Sequence, residues 1–339
     1  MESAHRGKQS IVFAQQPAIL SYASVAGKKE SEGPLKATFD VASKDTAFGQ
    51  KSWEKAETQM QKTAMEIALQ KADLKEDQLD AAFVGDLLNQ CVGSSFSMRN
   101  RNIPTFGLYG ACSTMAESLI LAAMAVNGGY ARKVLALTSS HFASSERQYR
   151  FPLGYGGQRT PTAQWTVTGA GAVILGQSGK GPYLRSATVG SIVDAGMKDA
   201  NNMGAAMAPA AYETIRAHFD DLGLGPEDYD LIVTGDLGKL GHQVVAELFE
   251  KDGVKLDQRY QDCGMMIFDL KKQDVHCGGS GCGCSASVLC GHLLGRMRRG
   301  QLNRLLFCGT GALLSPLSTQ QGESVPAVCH AVSIFTERS

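Results

Sequence analysis

The chain has no excess of charge of either sign, no long run of basic residues and no long hydrophobic segment. Its 33 lysines and arginines balance 33 acidic residues over 339 positions, so the formal net charge is zero. Without a basic stripe, nucleic-acid binding is not supported. The longest apolar stretches, such as residues 119–126, are far too short to span a bilayer. The hydrophobic fraction of 43% is nevertheless enough for a substantial core.

Two further absences concern cofactors and secretion. The glycine-rich turns match neither G-x-x-x-x-G-K-[ST] nor a strand-G-x-G-x-x-G-helix unit, so a nucleotide site is not supported and we expect no cofactor. The stretch from Met1 to Arg6 contains no apolar core of a signal peptide. We therefore expect the nine cysteines to be reduced thiols in a cytosol-like compartment.

What the sequence does contain is a repeat. The triplet Gly-Asp-Leu ends an apolar stretch at residues 85–87 and again at residues 235–237. The segment Gly-Ala-Cys-Ser at residues 110–113 is echoed by Gly-Cys-Gly-Cys-Ser at residues 281–285. Each echo is followed by a helix-like run, a basic turn and an apolar strand. The repeat predicts two similar halves packed together, with a site where their equivalent ends meet.

Hydrophobic periodicity predicts strands that alternate with helices. The predicted strands cover residues 10–13, 79–84, 103–109, 133–137, 166–176, 231–234, 304–308 and 327–335, and residues 183–189 begin the second half. The predicted helices cover residues 52–71, 113–127, 208–222 and 286–299, with one more after Leu240, and residues 142–165 form a polar connection. This alternation implies an α/β protein with a mainly parallel sheet in each half, the halves being residues 1–178 and 179–339.

Polar and small residues follow the predicted strand ends. Asp86, Cys112, His141, Asp236 and the glycine corner at residues 278–284 all lie at such positions. Because mainly parallel sheets bind ligands beyond the carboxyl ends of their strands, we expect these residues to surround the site.

Several motifs occur in the order found in the thiolase and ketoacyl synthase superfamily, which this chain resembles over nearly its whole length. They are the strand-Cys-helix corner at Cys112, the Gly-rich turn at residues 166–173 and the Gly-Thr-Gly-Ala loop that begins at Gly309. The resemblance implies two duplicated βαβαβαββ halves in a layered α/β sandwich, with helices held between the sheets. It also implies a homodimer along an edge of the first-half sheet.

A closer resemblance is to the stage V sporulation protein AD family. It rests on residues 85–90, 109–114, 139–141, 146–148, 208–211 and 309–316. The resemblance implies a component of the uptake system that carries dipicolinic acid (pyridine-2,6-dicarboxylate), with or without Ca²⁺, into the developing spore. It also implies the other stage V sporulation A membrane proteins as partners. The expected location is the forespore or spore, in a cytosol-like compartment and peripheral to the inner spore membrane through those partners.

Cys112 is the strongest single candidate for a residue of the functional site. A thiol at a helix N-terminus meets unpaired backbone N–H groups and the positive end of the helix dipole, which favour the thiolate. Ketoacyl synthase relatives carry their acyl-accepting cysteine here, so an acyltransferase that uses Cys112 as nucleophile is the alternative function. The plainer alternative is a small buried hydrophobic residue.

The second half does not offer the groups that condensation needs. Condensing relatives place a histidine after the first second-half strand and an asparagine or second histidine at the glycine corner, where these stabilise the oxyanion and activate the carbanion. Here residues 234–238 hold no histidine, His242 lies several residues beyond, and residues 279–284 hold no asparagine. A carboxylate such as Asp236 would repel an enolate. The sequence therefore favours binding over catalysis.

The first-half polar residues suit a small dianion. His141, at a strand end, can donate to a carboxylate, and an arginine fork at Arg147 can hold one with two hydrogen bonds. Arg150 is a weaker candidate on the same predicted face, and a solvated surface position is the commoner fate of any arginine. Asn89 follows the Asp86 strand end. The predicted ligand-binding set is therefore Cys112, His141, Arg147, Asn89, Asp236 and Ser280.

The cysteines of the glycine corner are not predicted to bind a metal. Cys277, Cys282, Cys284 and Cys290 have the spacing C-x4-C-x-C-x5-C, whereas zinc sites usually pair a C-x2–4-C knuckle with a distant second pair. The third and fourth thiols also fall on a predicted helix and point around it. We read the corner as small residues that allow close packing beside the pocket.

Overall fold

The structure is a computed structural model that describes residues 4–149 and 158–338. Its strands are β1 (His5–Arg6), β2 (Ser10–Val12), β3 (Ala18–Ala26), β4 (Val41–Ala42), β5 (Ala81–Gly85), β6 (Thr105–Leu108), β7 (Lys133–Ser140), β8 (Trp165–Thr166), β9 (Gly169–Gly176), β10 (Tyr183–Val189), β11 (Leu231–Thr234), β12 (Tyr260–Asp262), β13 (Gly279–Ser280), β14 (Arg304–Ala312) and β15 (Ala327–Phe335). Its helices are α1 (Trp53–Ala72), α2 (Val92–Met98), α3 (Thr114–Asn127), α4 (Phe142–Tyr149), α5 (Met203–Leu222), α6 (Gly238–Lys251), α7 (Cys263–Ile267), α8 (Cys282–Val288), α9 (Leu294–Arg298) and α10 (Pro316–Gln320).

The strand order repeats between the two halves of the chain. The first half runs β3-β9-β7-β5-β6 and the second runs β10-β15-β14-β11-β12. In each half the first two pairings are antiparallel and the last two are parallel. The two series meet where Tyr183 of β10 pairs with Ala18 of β3. The boundary that we predicted at residues 178 and 179 falls between β9 and β10 and stays a prediction.

The expectation of a mainly parallel sheet in each half is wrong, because each half is mixed. β9 runs antiparallel to both of its neighbours, and so does β15. A parallel neighbour requires a crossover connection, usually a helix packed on the sheet. The chain passes α4 and β8 between β7 and β9, and α10 between β14 and β15, and in both places the returning strand pairs antiparallel with the strand it follows.

The helices form layers around the strands. α3 and α8 contact strands of both halves and so lie between them. α1 packs on β3, β9 and β7, while α5 packs on β15, β14 and β10 and against α6. The thiolase-like layered α/β fold expected from the sequence is therefore confirmed. α3 is buried almost all round, as expected for a helix whose sequence is apolar on every face.

Local sequence signals explain where α1 begins and ends. Ser52 accepts a hydrogen bond from the backbone N–H of Lys55 at 3.3 Å, which satisfies one of the free donors of the first turn. Buried Ala56, Met60, Ala64 and Ala68 recur every fourth residue and form its packed stripe. The helix ends at Asp73, whose φ of 52° is left-handed.

Several elements differ from the sequence prediction, and three of them bear on how the site is built. Strand β3 was not predicted, because its serines and alanines dilute the apolar pattern although most of the strand is buried. Helix α4 falls in the segment that we expected to be a polar connection, and serine and glutamate side chains form its buried face. The predicted helix at 286–299 begins earlier, at Cys282, and contains a π-helical turn at Leu289–Leu293. In the described residues no helix is both long enough and apolar enough to cross a membrane.

Candidate functional site

A cavity at the strand ends is built from both halves of the chain. We call it the Cys112 cavity. Its free volume for the centres of water-sized molecules is about 30 Å³, so the cavity is narrow in this structure. The first half contributes Leu87, Tyr109 and Cys112, and α4 contributes Glu146 and Tyr149. The second half closes the cavity with Ser280, Met203 and Leu314.

Cys112 lies on a strained turn that leads into α3. The 3₁₀ turn Ala111–Ser113 contains Ala111 at φ 50°, a left-handed conformation that is uncommon for a residue with a Cβ. Hydrogen bonds hold the turn, because Ser113 Oγ donates to Gly110 O at 2.7 Å and Thr114 Oγ1 donates to Ala111 O at 2.7 Å. These bonds fix the direction of the Cys112 side chain at the cavity wall.

Asp236 sits fully buried behind the Cys112 thiol. Its carboxylate accepts hydrogen bonds from Thr310 Oγ1 at 2.7 Å, from the backbone N–H of Gly281 at 2.8 Å and from the Cys112 thiol. Burial raises the pKa of the Asp236 carboxyl to about 6, although these donors oppose the shift. The contact links the strand ends of the two halves.

The expectation that the helix N-terminus favours a Cys112 thiolate is wrong. Burial raises the pKa of this thiol well above its usual value, and the nearby Asp236 and Cys282 raise it further. A charged sulfur would lose its hydration and lie beside a carboxylate, and the partial charge of a helix end is too weak to offset both effects. Cys112 is therefore a neutral thiol that donates to Asp236.

The structure brings together three of the six predicted ligand-binding residues. Cys112 and Ser280 line the cavity, and Asp236 contacts the Cys112 thiol. Asn89 is exposed, and its backbone N–H donates to Gln148 Oε1 at 2.9 Å. Arg147 is half-exposed on the other face of α4, where it pairs with Glu54. Arg150 lies outside the described residues.

His141 lies away from the Cys112 cavity, and its ring nitrogens are already engaged. Nε2 lies 2.8 Å from Thr46 O and Nδ1 lies 3.2 Å from the backbone N of Ala143, which gives a neutral ring that donates from Nε2. The ring stacks on Trp53 with 5.4 Å between centroids. Burial lowers the pKa of His141, so the neutral form is favoured. It has no free N–H for a ligand carboxylate in this arrangement.

Sequence reasoning did not single out Glu146, Tyr109 or Tyr149. Glu146 is buried and its Oε1 accepts from Thr166 Oγ1 at 2.6 Å, while the two tyrosine hydroxyls lie 2.6 Å apart. Helical spacing would have identified Glu146 and Tyr149, because residues 145, 146 and 149 share one face of a helix. Arg147 points away from that face. These residues were missed because the sequence analysis did not predict helix α4.

The cavity has no cationic wall in the part of the chain that the structure describes. No lysine, arginine or histidine lines it, and its ionisable groups are Cys112, Glu146 and the two tyrosines. His242 stacks on Tyr260 with 4.2 Å between centroids, and its Nε2 lies 3.2 Å from Tyr260 O. An imidazole that activates a carbanion is therefore not part of this wall, and a ketosynthase-like reaction is not favoured.

A buried carboxylate pair lies behind the first-half strand ends. Asp86 accepts from the backbone N–H groups of Leu88 and Ser94 at 2.7 Å each, so its carboxylate holds the local turn. Glu57 accepts from Ser139 Oγ and Ser144 Oγ at 2.9 Å each. Burial and the neighbouring Asp86 raise the pKa of Glu57 to about 8, and burial also raises the pKa of Asp86.

Replacing Glu57 by Gln is expected to make stability less dependent on pH. A carboxyl whose folded-state pKa is raised favours the fold below its unfolded pKa, and that contribution is lost as pH rises toward about 8. The variant should match the parent near about pH 5 and exceed its free energy of unfolding by a few kcal/mol near about pH 8.5. Denaturant unfolding at both pH values measures this. Glu250→Gln, at an exposed position, is the control, and equal pH slopes in all three proteins would refute the prediction.

The fold and the site together define a thiolase-like protein that keeps a cysteine at the strand-helix corner but surrounds it with carboxylates. Solved structures with this fold include 3-oxoacyl-[acyl-carrier-protein] synthase III from Aquifex aeolicus, at a TM-score of 0.57 and 15% identity, covering 94% of this chain and 99% of that one. A variant of OleA from Xanthomonas campestris matches at a TM-score of 0.59 and 15% identity, covering 96% of this chain and 99% of that one. At these identities the likeness shows the fold alone.

The sequence comparisons are more specific. The family model of stage V sporulation protein AD matches residues 7–335. Stage V sporulation protein AD from Bacillus subtilis (strain 168) is 45% identical over 326 residues, which cover 96% of each chain. This chain belongs to the stage V sporulation protein AD family.

Proposed function

We propose that the protein binds dipicolinate without transforming it, as part of the system that moves this compound into the developing spore. Membership in a sporulation family supports a role in spore formation. The observation that carries the non-catalytic interpretation is the Cys112 thiol, which burial and the Asp236 carboxylate keep neutral and which has no histidine beside it in the described cavity wall. A thiol in this state is a poor nucleophile, because the thiolate is the reactive form.

The charge of the Cys112 cavity favours the calcium chelate over the free dianion. Glu146 is buried in the wall and no described lining residue carries a positive charge. A dianion would lose hydration there without gaining a counter-charge. In the chelate, Ca²⁺ cancels the ligand charge and keeps positions open for oxygen ligands, which it prefers. The Glu146 carboxylate and the Ser280 hydroxyl are the lining oxygens that we propose for these positions.

Calorimetric titration of the full chain tests this function. We expect saturable heat with dipicolinate in the presence of Ca²⁺ and binding at least about tenfold weaker when a chelator removes the metal. Glu146→Gln should weaken binding of the chelate by about tenfold or more, because a charged oxygen ligand is lost. Glu213→Gln, at an exposed position on α5, should bind like the parent.

Two results would contradict the proposal. One is an absence of heat with dipicolinate both with and without Ca²⁺. The other is full-strength chelate binding by Glu146→Gln, which would remove this cavity as the site. A covalent acyl adduct on Cys112 after incubation with acyl-CoA, detected by mass spectrometry, would instead revive the acyltransferase alternative.

The proposal includes the setting in which the protein works. We place it in the forespore, at the inner spore membrane through the other stage V sporulation A proteins. A homodimer along β6 belongs to the same proposal. It is supported by the position of β6 at the end of the first-half strand series and by Phe106, which is 57% exposed.

A further inference from the structure

A second cavity lies on the other side of α4 from the Cys112 cavity. We call it the indole cavity; its free volume for the centres of water-sized molecules is about 180 Å³, and it is lined by Lys28, Lys29, Glu30, Trp53, His141 and Trp165, among others. Phe142 and Ala143 at the start of α4 face it, whereas Ser145 and Glu146 face the Cys112 cavity. The two cavities therefore share a helix but no lining residue.

Aromatic rings form the walls of the indole cavity. Phe142 stacks on Trp165 with 3.8 Å between ring centroids and an interplanar angle of 11°. Trp53 stacks on His141 at 5.4 Å and 29°. Two rigid ring pairs are thus in place before any ligand binds, which lowers the entropic cost of binding a flat molecule.

Two lysines, Lys28 and Lys29, line this cavity, with Glu30, Glu32 and the Arg159–Asp274 ion pair nearby. Lys29 Nζ lies 3.8 Å from the centroid of the Trp165 ring. Burial lowers the pKa of Lys29, and the nearby Arg159 lowers it further. Lys28 is exposed beside it, and no ion pair within 4.0 Å joins either lysine to a described carboxylate. An anion that entered here would relieve the repulsion between neighbouring cations.

Glu30 is a second, independent indication that the cavity binds a ligand. Its side chain is fully buried and Oε1 accepts from the backbone N–H of Thr168 at 3.0 Å. Oε2 has no hydrogen-bond partner among the described residues. Buried polar atoms are nearly always paired, so an orphaned carboxyl oxygen in a cavity lining needs an explanation. Burial raises the pKa of Glu30 to about 7, so this carboxyl carries a proton much of the time near neutrality.

We propose that the indole cavity is a binding site for a small carboxylate with a flat apolar body. The carboxylate lies between Lys28 and Lys29 and accepts the Glu30 proton, while the flat body packs among the indole and phenyl rings. Nothing in this proposal depends on dipicolinate or on the Cys112 cavity.

The proton on Glu30 makes binding pH-dependent. A bound carboxylate favours the protonated form of Glu30, so binding takes up a proton and affinity falls as pH rises through about 7. The pKa of Lys29 is also lowered, so at higher pH this side chain loses its positive charge and the affinity for a carboxylate falls further. The charged and titratable groups around Glu30 are Lys28, Lys29 and Glu32 on its own segment, His141 from the end of β7, and Arg159 and Asp274 across Trp165.

Tryptophan fluorescence reads this site selectively, because the chain has only two tryptophans and both line the indole cavity. Benzoate is the probe, and we expect a saturable change in tryptophan emission below about pH 7. Benzamide, which keeps the ring without the charge, and acetate, which keeps the charge without the ring, should each bind at least about tenfold more weakly. Unchanged emission and no heat with benzoate would overturn the inference.

Matched variants separate the parts of the proposal. Lys29→Gln should weaken benzoate binding about tenfold or more, whereas Lys44→Gln, at an exposed position, should leave it unchanged. Glu30→Gln should remove the pH step near 7 while keeping binding, because its amide also donates. Thermal melts establish that each variant is folded. Equal affinity in the parent and Lys29→Gln, or an unaltered pH step in Glu30→Gln, would overturn the proposed contacts.

The same proteins distinguish this inference from the proposed function. Glu146→Gln should bind benzoate normally although it loses the calcium–dipicolinate chelate. If the protein binds the chelate but not benzoate, only the indole-cavity proposal is overturned. The converse result overturns only the dipicolinate proposal.

Discussion

Gly311→Ala is expected to destabilise the protein by about 3 kcal/mol and to displace the Cys112 turn. A Cβ at Gly311 would lie 2.5 Å from Gly110 O and 3.0 Å from the backbone N of Ser113. Both neighbours are backbone atoms of the turn that holds Cys112, so no side-chain rotation can relieve the clash. The turn is already strained at Ala111 and has little freedom to move.

Denaturant unfolding measures the loss, and Gly107→Ala is the matched control. Gly107 lies on β6, where an added Cβ would meet nothing within 4 Å and the backbone is not left-handed. Its substitution should change stability by no more than about 0.5 kcal/mol. If Gly311→Ala is as stable as the control and its Cys112 reactivity is unchanged, the close packing of β14 on the Cys112 turn is refuted. Retained stability combined with altered Cys112 reactivity would show that the turn moves instead of resisting.

Asp236→Asn is expected to increase the reactivity of Cys112. The carboxylate raises the pKa of the thiol both through its charge and by accepting the thiol hydrogen bond. Removal of the charge should lower that pKa, and each pKa unit increases the thiolate fraction about tenfold at a fixed pH below the pKa. Burial is the larger cause and remains, so the thiol should stay less acidic than a free cysteine.

Alkylation by iodoacetamide, followed by peptide mapping, measures this change at Cys112 separately from the other eight cysteines. The variant should react at least about tenfold faster than the parent, and Asp77→Asn, at an exposed position, should react like the parent. Equal alkylation rates in all three proteins would show that Asp236 does not control the thiol. Asp236→Ala tests the structural role, because it leaves the Gly281 N–H and the Thr310 hydroxyl without their acceptor at a cost of about 3 kcal/mol.

The two halves of the molecule share a topology and differ in chemistry. Asp86 and Asp236 occupy equivalent strand ends, yet Asp86 holds a local turn whereas Asp236 reaches across to the Cys112 thiol. The two halves therefore share their strand order and the positions of the residues that follow equivalent strand ends. The function of each corner then depends on which side chains meet there.

The sequence by itself determined most of the framework. Strands at Leu231–Thr234 and Ala327–Phe335 were predicted to the residue, because each is an apolar run whose hydrophobic pattern indicates burial directly. The repeated Gly-Asp-Leu triplets predicted two equivalent halves, which the strand order shows. The sequence also predicted that Cys112 and Asp236 lie in one site, because both residues follow strand ends.

Only the tertiary structure decided which side chains share a cavity and how each is charged. His141 follows a strand end as predicted, but α4 separates it from Cys112, and α4 escaped prediction because its serines and glutamate carry no apolar periodicity. Glu146 and Arg147 are neighbours in sequence, yet the rotation of about 100° between successive helical residues buries the first and exposes the second. The Cys112 pKa depends on desolvation and on a carboxylate that is distant along the chain. Such effects arise from packing between the halves, which no local sequence pattern encodes.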